Sequence, residues 1–186
     1  MTDALRTERL VLRVWTEADR VPFAEMNADA EVMEHFPSTM TSAESDAFVD
    51  RIEQHFAARG FGLWVVEVDG RFVGFTGLQV PRFHVDWMDQ REQPVLEIGW
   101  RLQRSAWGRG YATEAAAAAL RFAFDELGRQ EVVSFTVVGN RRSRQVMERL
   151  GMQYLTGYDH PIPDGPALPS VCYLLTQREH VPWEAR

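Results

Sequence analysis

Trp107-Gly108-Arg109-Gly110-Tyr111-Ala112-Thr113-Glu114-Ala115 is the stretch on which the reading of this chain turns. A β-rich run, Pro94 to Leu102, precedes it, and an Ala-rich helix, Ala112 to Leu127, follows and stops at Gly128. Glycines ahead of a helix let the backbone turn so that its N–H groups converge, with no Cβ in the way. The helix start adds unpaired N–H groups and the positive end of its dipole, which together suit a pyrophosphate. Arg104 and Arg109 add positive charge nearby. A plain turn and helix start would carry the same Gly-x-Gly, so its neighbours must discriminate. A P-loop needs Gly-Lys-Ser/Thr, and this chain contains no lysine. A dinucleotide fingerprint needs a third glycine where Thr113 stands, and an acid after the next strand, which ends Val138-Gly139-Asn140. What remains is a nucleotide-like anion held by a helix N-terminus in another fold.

Working outward, Glu131 to Val138 reads as a strand, and Asn140 caps a short helix to Leu150, stopped by Gly151. Toward the N-terminus, Asp69-Gly70 joins two β-rich runs, Phe61 to Val68 and Arg71 to Val80, as a type I′ hairpin. Two capping boxes, Thr16 with Asp19 and Thr41 with Glu44, open helices to about Ala28 and Arg59, the second stopped by Gly60. Arg9 to Trp15 alternates as a strand, and two last strands lie near Met152 to Tyr158 and Ser170 to Gln177. The order β-α-α-β-β-β-α-β-α-β-β is that of a mixed α/β or α+β sheet with helices on its faces. Neither repeats nor linker-like segments interrupt it, so residues 1–186 are expected to form a single domain.

Of 186 residues 45% are hydrophobic, enough for a core without staples, and one cysteine, Cys172, excludes a disulfide framework and a multi-thiolate metal site. No histidine spacing suggests a metal, and no apolar run or leader-like start appears, so a cytoplasmic setting is the expectation. Net charge is −7, and all 20 basic residues are arginine. Nine of them lie between Arg101 and Arg149 against five acids, while the rest of the chain is strongly acidic. Such a surface would repel phosphate backbones, which argues against a nucleic-acid partner, but it suits a compact anion on one side and a cationic substrate on the other.

Trp107-Gly-Arg-Gly110-Tyr-Ala112-Thr-Glu114-Ala, with Asn140-Arg-Arg-Ser143 and Glu148-Arg-Leu-Gly151-Met152 downstream, resembles the GNAT superfamily of acetyl-CoA-dependent N-acyltransferases. Within it the chain is similar to the RimJ/RimL-like branch, which acetylates N-terminal amines of ribosomal proteins. The opening Thr7-Glu8-Arg9-Leu10-Val11-Leu12-Arg13, the run Leu96-Glu97-Ile98-Gly99-Trp100 and the closing Tyr173-Leu-Leu-Thr extend the likeness over nearly the whole chain. The resemblance implies a mixed, mostly antiparallel sheet of about seven strands flanked by about four helices. It also implies backbone N–H groups of Gly108, Arg109, Gly110, Tyr111 and Ala112 around the pyrophosphate of acetyl-CoA, and a pantetheine arm laid along Ile98, Gly99, Trp100, Arg101 and Leu102 as an added strand, the fourth strand supplying that edge. Gly99 suits such an approach, or a simple bulge. Where the family motif begins with a charged residue this chain has Trp107, so Arg104 is the expected substitute.

The resemblance further implies acetyl transfer to an amine, either a protein N-terminus or a small molecule. That reaction needs a neutral amine, a stabilised oxyanion and a proton for the thiolate. The tyrosine that many members use as acid would stand at Met147, which cannot donate. Its absence is what would support a non-catalytic acyl-CoA-binding module instead. Ser143, in the first turn of the helix capped by Asn140, is the donor proposed for this branch, or else bonds its own backbone. Asn140 caps that helix and, by resemblance, steadies the cofactor arm. Glu97 alternates with Leu96 and Ile98 and so faces the side Gly99 leaves open, as a base or as a solvated carboxylate. As a base it needs a raised pKa or an intervening water. The Trp87 loop and His35-Phe36-Pro37 are expected to line the acceptor site; the branch includes homodimers, and no sequence feature decides that state here.

Overall fold

The structure, a computed structural model, describes residues 4–162 and 165–180. Eight strands form one sheet: β1 (Ala4–Arg6), β2 (Val11–Arg13), β3 (Leu63–Val68), β4 (Arg71–Gln79), β5 (Glu97–Leu102), β6 (Glu131–Val137), β7 (Gln153–His160) and β8 (Leu168–Thr176). Their order is β1-β2-β3-β4-β5-β6-β8-β7, and every neighbouring pair is antiparallel except β5 with β6. Four α-helices accompany it: α1 (Arg20–Ala28), α2 (Ser42–Arg59), α3 (Tyr111–Asp125) and α4 (Arg141–Arg149). This is the mixed, mostly antiparallel architecture expected, with one strand more.

The extra strand is β1, which the Thr7–Leu10 turn folds back on β2, so that Ala4 faces Arg13. A three-residue strand carries too little alternation to register in sequence. The Ile98–Leu102 segment is accordingly the fifth strand, not the fourth. Thr16 does form its capping box with Asp19, both its N–H and its hydroxyl donating to that carboxylate at 2.8 Å, but the first turn is a 3₁₀ segment and α1 begins only at Arg20. Thr41 and Glu44 cap α2 as anticipated, and Gly60 ends it at φ +76°. Asp69 (φ 49°) and Gly70 (φ 75°) are both left-handed, as the type I′ hairpin requires. Among the described residues no helix is long and apolar enough to cross a membrane.

Strand alternation gives β4 and β5 two distinct faces. Ile98 and Leu102 turn into the core, where the alanines of α3 pack tightly against the sheet. On the opposite face Phe75 meets Phe23 of α1 and Phe48 of α2 edge-on at 5.9 Å. α1 is tied to the sheet by charge. Asp19, 2% exposed, takes two hydrogen bonds from Arg13 at 2.7 and 2.8 Å, and the same guanidinium reaches Glu67 at 2.7 Å.

Arg13→Met should therefore leave Asp19 buried without its cation and cost roughly 3 kcal/mol of stability at neutral pH. Burial alone would raise the Asp19 pKa, but its hydrogen bonds to Arg13 and Thr16 win and hold it below the ordinary value. That stabilisation is present above the unfolded pKa and is lost as pH falls through the folded one, so the gap between wild type and variant should narrow below about pH 4. Urea titrations at pH 7 and pH 3.5 measure both; an equal gap at the two would contradict the Asp19 assignment.

Candidate active site

β5 and β6 pair at a single position, Glu97 with Val133, where the Val133 N–H donates to Leu96 O at 2.9 Å. One step on, the Ser134 hydroxyl donates to Ile98 O at 2.9 Å, a side chain taking the place of a ladder amide. Beyond that point the strands part. The Gln103 N–H donates to Val73 O on the β4 side, so strand alternation turns the N–H and C=O of Trp100 toward the gap. A cavity of about 680 Å³ occupies it, lined by Glu97, Gly99, Trp100, Arg101 and Leu102 of β5, Ser134 to Val137 of β6, and the first residues of α3 and α4.

The turn into α3 forms one wall of this cavity. Gly108 (φ 73°) and Gly110 (φ 81°) both adopt left-handed backbone, which a Cβ would strain, and both line the cavity with Tyr111, Ala112 and Thr113. The turn is fastened from behind. Buried Glu114 accepts from the Thr7 hydroxyl at 2.5 Å, from the Arg9 N–H at 3.1 Å and from Arg9 Nε at 2.7 Å. Arg9 also donates to Arg109 O at 3.0 Å and stacks over Tyr111 at 4.9 Å. The glycine turn is thus fixed by the turn between β1 and β2 as well as by its own glycines.

The two arginines expected near the anion, Arg104 and Arg109, are not among the residues that line the cavity. Arg104 pairs with Glu31 at 2.5 Å, 3.8 Å from Asp29. The cation on that wall is Arg142 of α4, stacked 4.3 Å from the Trp107 ring. Sequence held no sign of it beyond the Arg141-Arg142 pair.

Ser143 and Asn140 both reach the cavity, and Asn140 Oδ1 accepts from the Ser143 N–H at 3.0 Å, so the helix cap exists as read. Met147 is wholly buried and does not line the cavity, so no acid stands at its position. Glu97 faces the cavity beside Gly99, where an added Cβ would meet nothing nearer than Glu97 Oε1 at 4.0 Å. Desolvation raises the Glu97 pKa to about 7, against the pull of a 3.1 Å hydrogen bond from Gln79 Nε2. That satisfies one of the two conditions for a base. Burial and the charge of Glu97 likewise raise Tyr158, and raise the buried thiol of Cys172 to about 12, leaving it inert.

Around Glu97 stands an aromatic wall that sequence reading did not assemble. Phe83 stacks on Tyr158 at 5.8 Å and meets Phe135 at 5.1 Å and His160 at 4.5 Å edge-on, and all four line the cavity. They come from the long loop, β6 and β7, so no local pattern joins them. His35, Phe36 and Pro37 line the cavity as expected, whereas Trp87 lies behind the wall, tilted on Phe135 at 6.2 Å.

Comparison with known proteins agrees with this geometry. Residues 9–153 match the Acetyltransferase (GNAT) domain family. YkkB of Bacillus subtilis is 31% identical over 153 residues, 81% of this chain and 85% of its own length. The FsC-acetyl coenzyme A-N(2)-transacetylase of Aspergillus fumigatus is 32% identical over 187 aligned positions, 94% of this chain and 77% of that protein. The crystal structure of an acetyltransferase from Agrobacterium tumefaciens superposes with a TM-score of 0.75 at 26% identity, covering 95% of this chain and 96% of the other. The family match runs unbroken through the glycine turn, the parted strands and the capped start of α4, and the chain accordingly belongs to the GNAT family of acetyl-CoA-dependent acetyltransferases.

Proposed function

We propose that this protein is an N-acetyltransferase of the RimJ/RimL-like branch that moves an acetyl group from acetyl-CoA directly to a primary amine, with Glu97 as base and Ser143 as acid. The observation that carries it is the convergence of Glu97, Ser143 and the glycine turn on one cavity. When bound, acetyl-CoA supplies a thioester carbonyl open to attack and a thiol as leaving group. The residues present fit it: the backbone of Gly108 to Ala112 offers N–H donors to the pyrophosphate, Arg142 adds a cation, and the gap edge of β5 at Trp100 can pair with an extended amide-bearing arm. Arg104 has no such part in this reading, since Glu31 holds it.

At the acceptor, Glu97 removes the proton that an ammonium must lose before its lone pair can attack. A carboxylate with pKa near 7 is far better matched to that task than one near 4. Ser143 passes its hydroxyl proton to the departing sulfur and regains the one that the newly bonded nitrogen sheds, so it ends neutral, and its place in the first turn of α4 sets the positive helix end behind the developing thiolate. Transfer is direct, and the one thiol, Cys172, is buried and does not line the cavity, so it cannot carry the acetyl group. The Aspergillus relative's name, an acetyl coenzyme A-N(2)-transacetylase, supports acetyl transfer to a nitrogen; the acceptor is a protein N-terminus or a small-molecule amine, and the setting is cytoplasmic.

Three variants test this reading. Gly110→Asp places bulk and negative charge in the cradle; the variant should fold but lose the rise in Tm that saturating acetyl-CoA gives the wild type. Glu97→Gln should lower kcat/KM roughly 100-fold at pH 7 and remove the rise that wild-type activity shows through pH 7, and its deficit should shrink toward pH 10, where free amine accumulates. The same substitution should raise Tm above pH 7: a carboxylate whose folded pKa is raised costs stability once it ionises, and Gln does not. Ser143→Ala should lower kcat roughly tenfold to 100-fold without recovery at high pH, because free amine does nothing for the departing sulfur. Unchanged kcat in both variants would remove the acid–base assignment; acetyl-CoA binding by the wild type with no amine acetylated would favour a binding module.

A further inference from the structure

Phe75, Gly77 and Gln79 of β4 lie opposite Arg101, Gly99 and Glu97 of β5, and all six share the face toward α1 and α2. At the centre Gly99 leaves the cavity side open, whereas the backbone of Gly62 and Leu63 packs closely on Gly77. One end is closed by Glu97 and its partner Gln79, the other by Arg101 beside Phe75. Four residues of strand separate the two charged ends, roughly 13 Å between Cα atoms.

Arg101 is the unusual member. No carboxylate among the described residues is within ion-pair distance of it, although Glu31 and Glu34 line the same cavity. Glu31 is taken by Arg104, and Glu34 lies 3.9 Å from His35. Arg101 Nη1 donates to the neutral Asn27 Oδ1 at 2.6 Å and makes a long contact with Met40 Sδ at 3.9 Å, while its Nε–H is buried with no partner. Phe36 covers the guanidinium at 4.2 Å, with Phe75 at 5.5 Å and Phe48 at 6.0 Å. Desolvation depresses its pKa to about 10, so it stays charged at neutral pH inside an aromatic box. A buried cation normally has a counter-charge, and leaving one without is expensive. Its fork geometry is that which binds carboxylates bidentately.

Resting on the acetyltransferase reading above, we infer that the acceptor is a carboxylate-bearing primary amine, its amine at Glu97 and its carboxylate on Arg101 across the open face at Gly99. The spacing selects acceptors whose two groups lie several bonds apart, so α-amino acids, with adjacent groups, fit poorly. An ω-amino acid fits, and so does an α-amine followed by an acidic side chain.

The test compares 6-aminohexanoate with 6-aminohexanamide, and Ala-Glu-Ala-amide with Ala-Gln-Ala-amide, for wild type, Arg101→Met and Arg101→Lys. Wild type should prefer the carboxylate twin of at least one pair about 10- to 100-fold in kcat/KM, and the pair that responds distinguishes small molecule from peptide. Arg101→Met should cut that preference at least tenfold, with Arg101→Lys between. The Tm of Arg101→Met should be unchanged or higher, because an unpaired buried cation is exchanged for an apolar side chain; a merely structural arginine would give a lower one. Direct binding of 6-aminohexanoate to each protein by calorimetry needs no turnover. Binding weakened by Arg101→Met with no amine acetylated would sustain the anion site and sink the acetyltransferase reading. Equal use and equal binding of both twins by wild type, or a preference that survives Arg101→Met, would overturn the inference.

Discussion

A single rung of backbone pairing between β5 and β6 is the constraint on which the rest of this structure depends. Parallel strands ordinarily need a crossover element, and here α3 provides it, arriving from β5 through the glycine turn and leading on to β6. Had the two strands paired along their length, the sheet would be closed and the gap filled. Instead Ser134 terminates the pairing at Ile98, and backbone groups of Trp100 are left facing an opening that ends at the N-termini of α3 and α4. Unpaired strand backbone is a template for another extended chain. In the proposed function, that edge is where an amide-bearing arm would pair.

The two faces of β5 divide the labour. One face, Ile98 and Leu102, is spent on the core against α3 and holds the strand rigid. The other carries Glu97 and Arg101, a carboxyl and a guanidinium each largely withdrawn from solvent and neither within ion-pair distance of an opposite charge among the described residues. Desolvation therefore works on both in the direction that disfavours charge, raising one pKa and lowering the other. Such groups reduce stability in the empty protein, and they persist where a ligand or a reaction uses them. Arg13, Arg9 and Glu114 contrast with them: these are paired ions that fix β2 to α1 and the N-terminal strands to the glycine turn.

What was legible in sequence was local. The Asp69-Gly70 hairpin, the Thr16 and Thr41 capping boxes, the Asn140 cap and the left-handed glycines at 108 and 110 each depend on a few adjacent residues, and each is present. The outward face of Glu97 followed from alternation alone. What was illegible needed distance. Arg104 was expected beside an anion but is held by Glu31, 73 residues away. Arg142 stacks on Trp107 across two elements, and Phe83, Phe135, Tyr158 and His160 converge from three. The parting of β5 from β6 leaves no trace in either strand's composition, because both still read as β-rich runs.

Backbone hydrogen exchange at Trp100, with and without acetyl-CoA, tests the central claim most directly. If the open edge of β5 receives an extended arm, the Trp100 amide should slow at least tenfold on saturation, beyond the change shared by amides of the β3–β4 core. Protection confined to the glycine turn, with Trp100 exchanging as fast as before, would contradict the account.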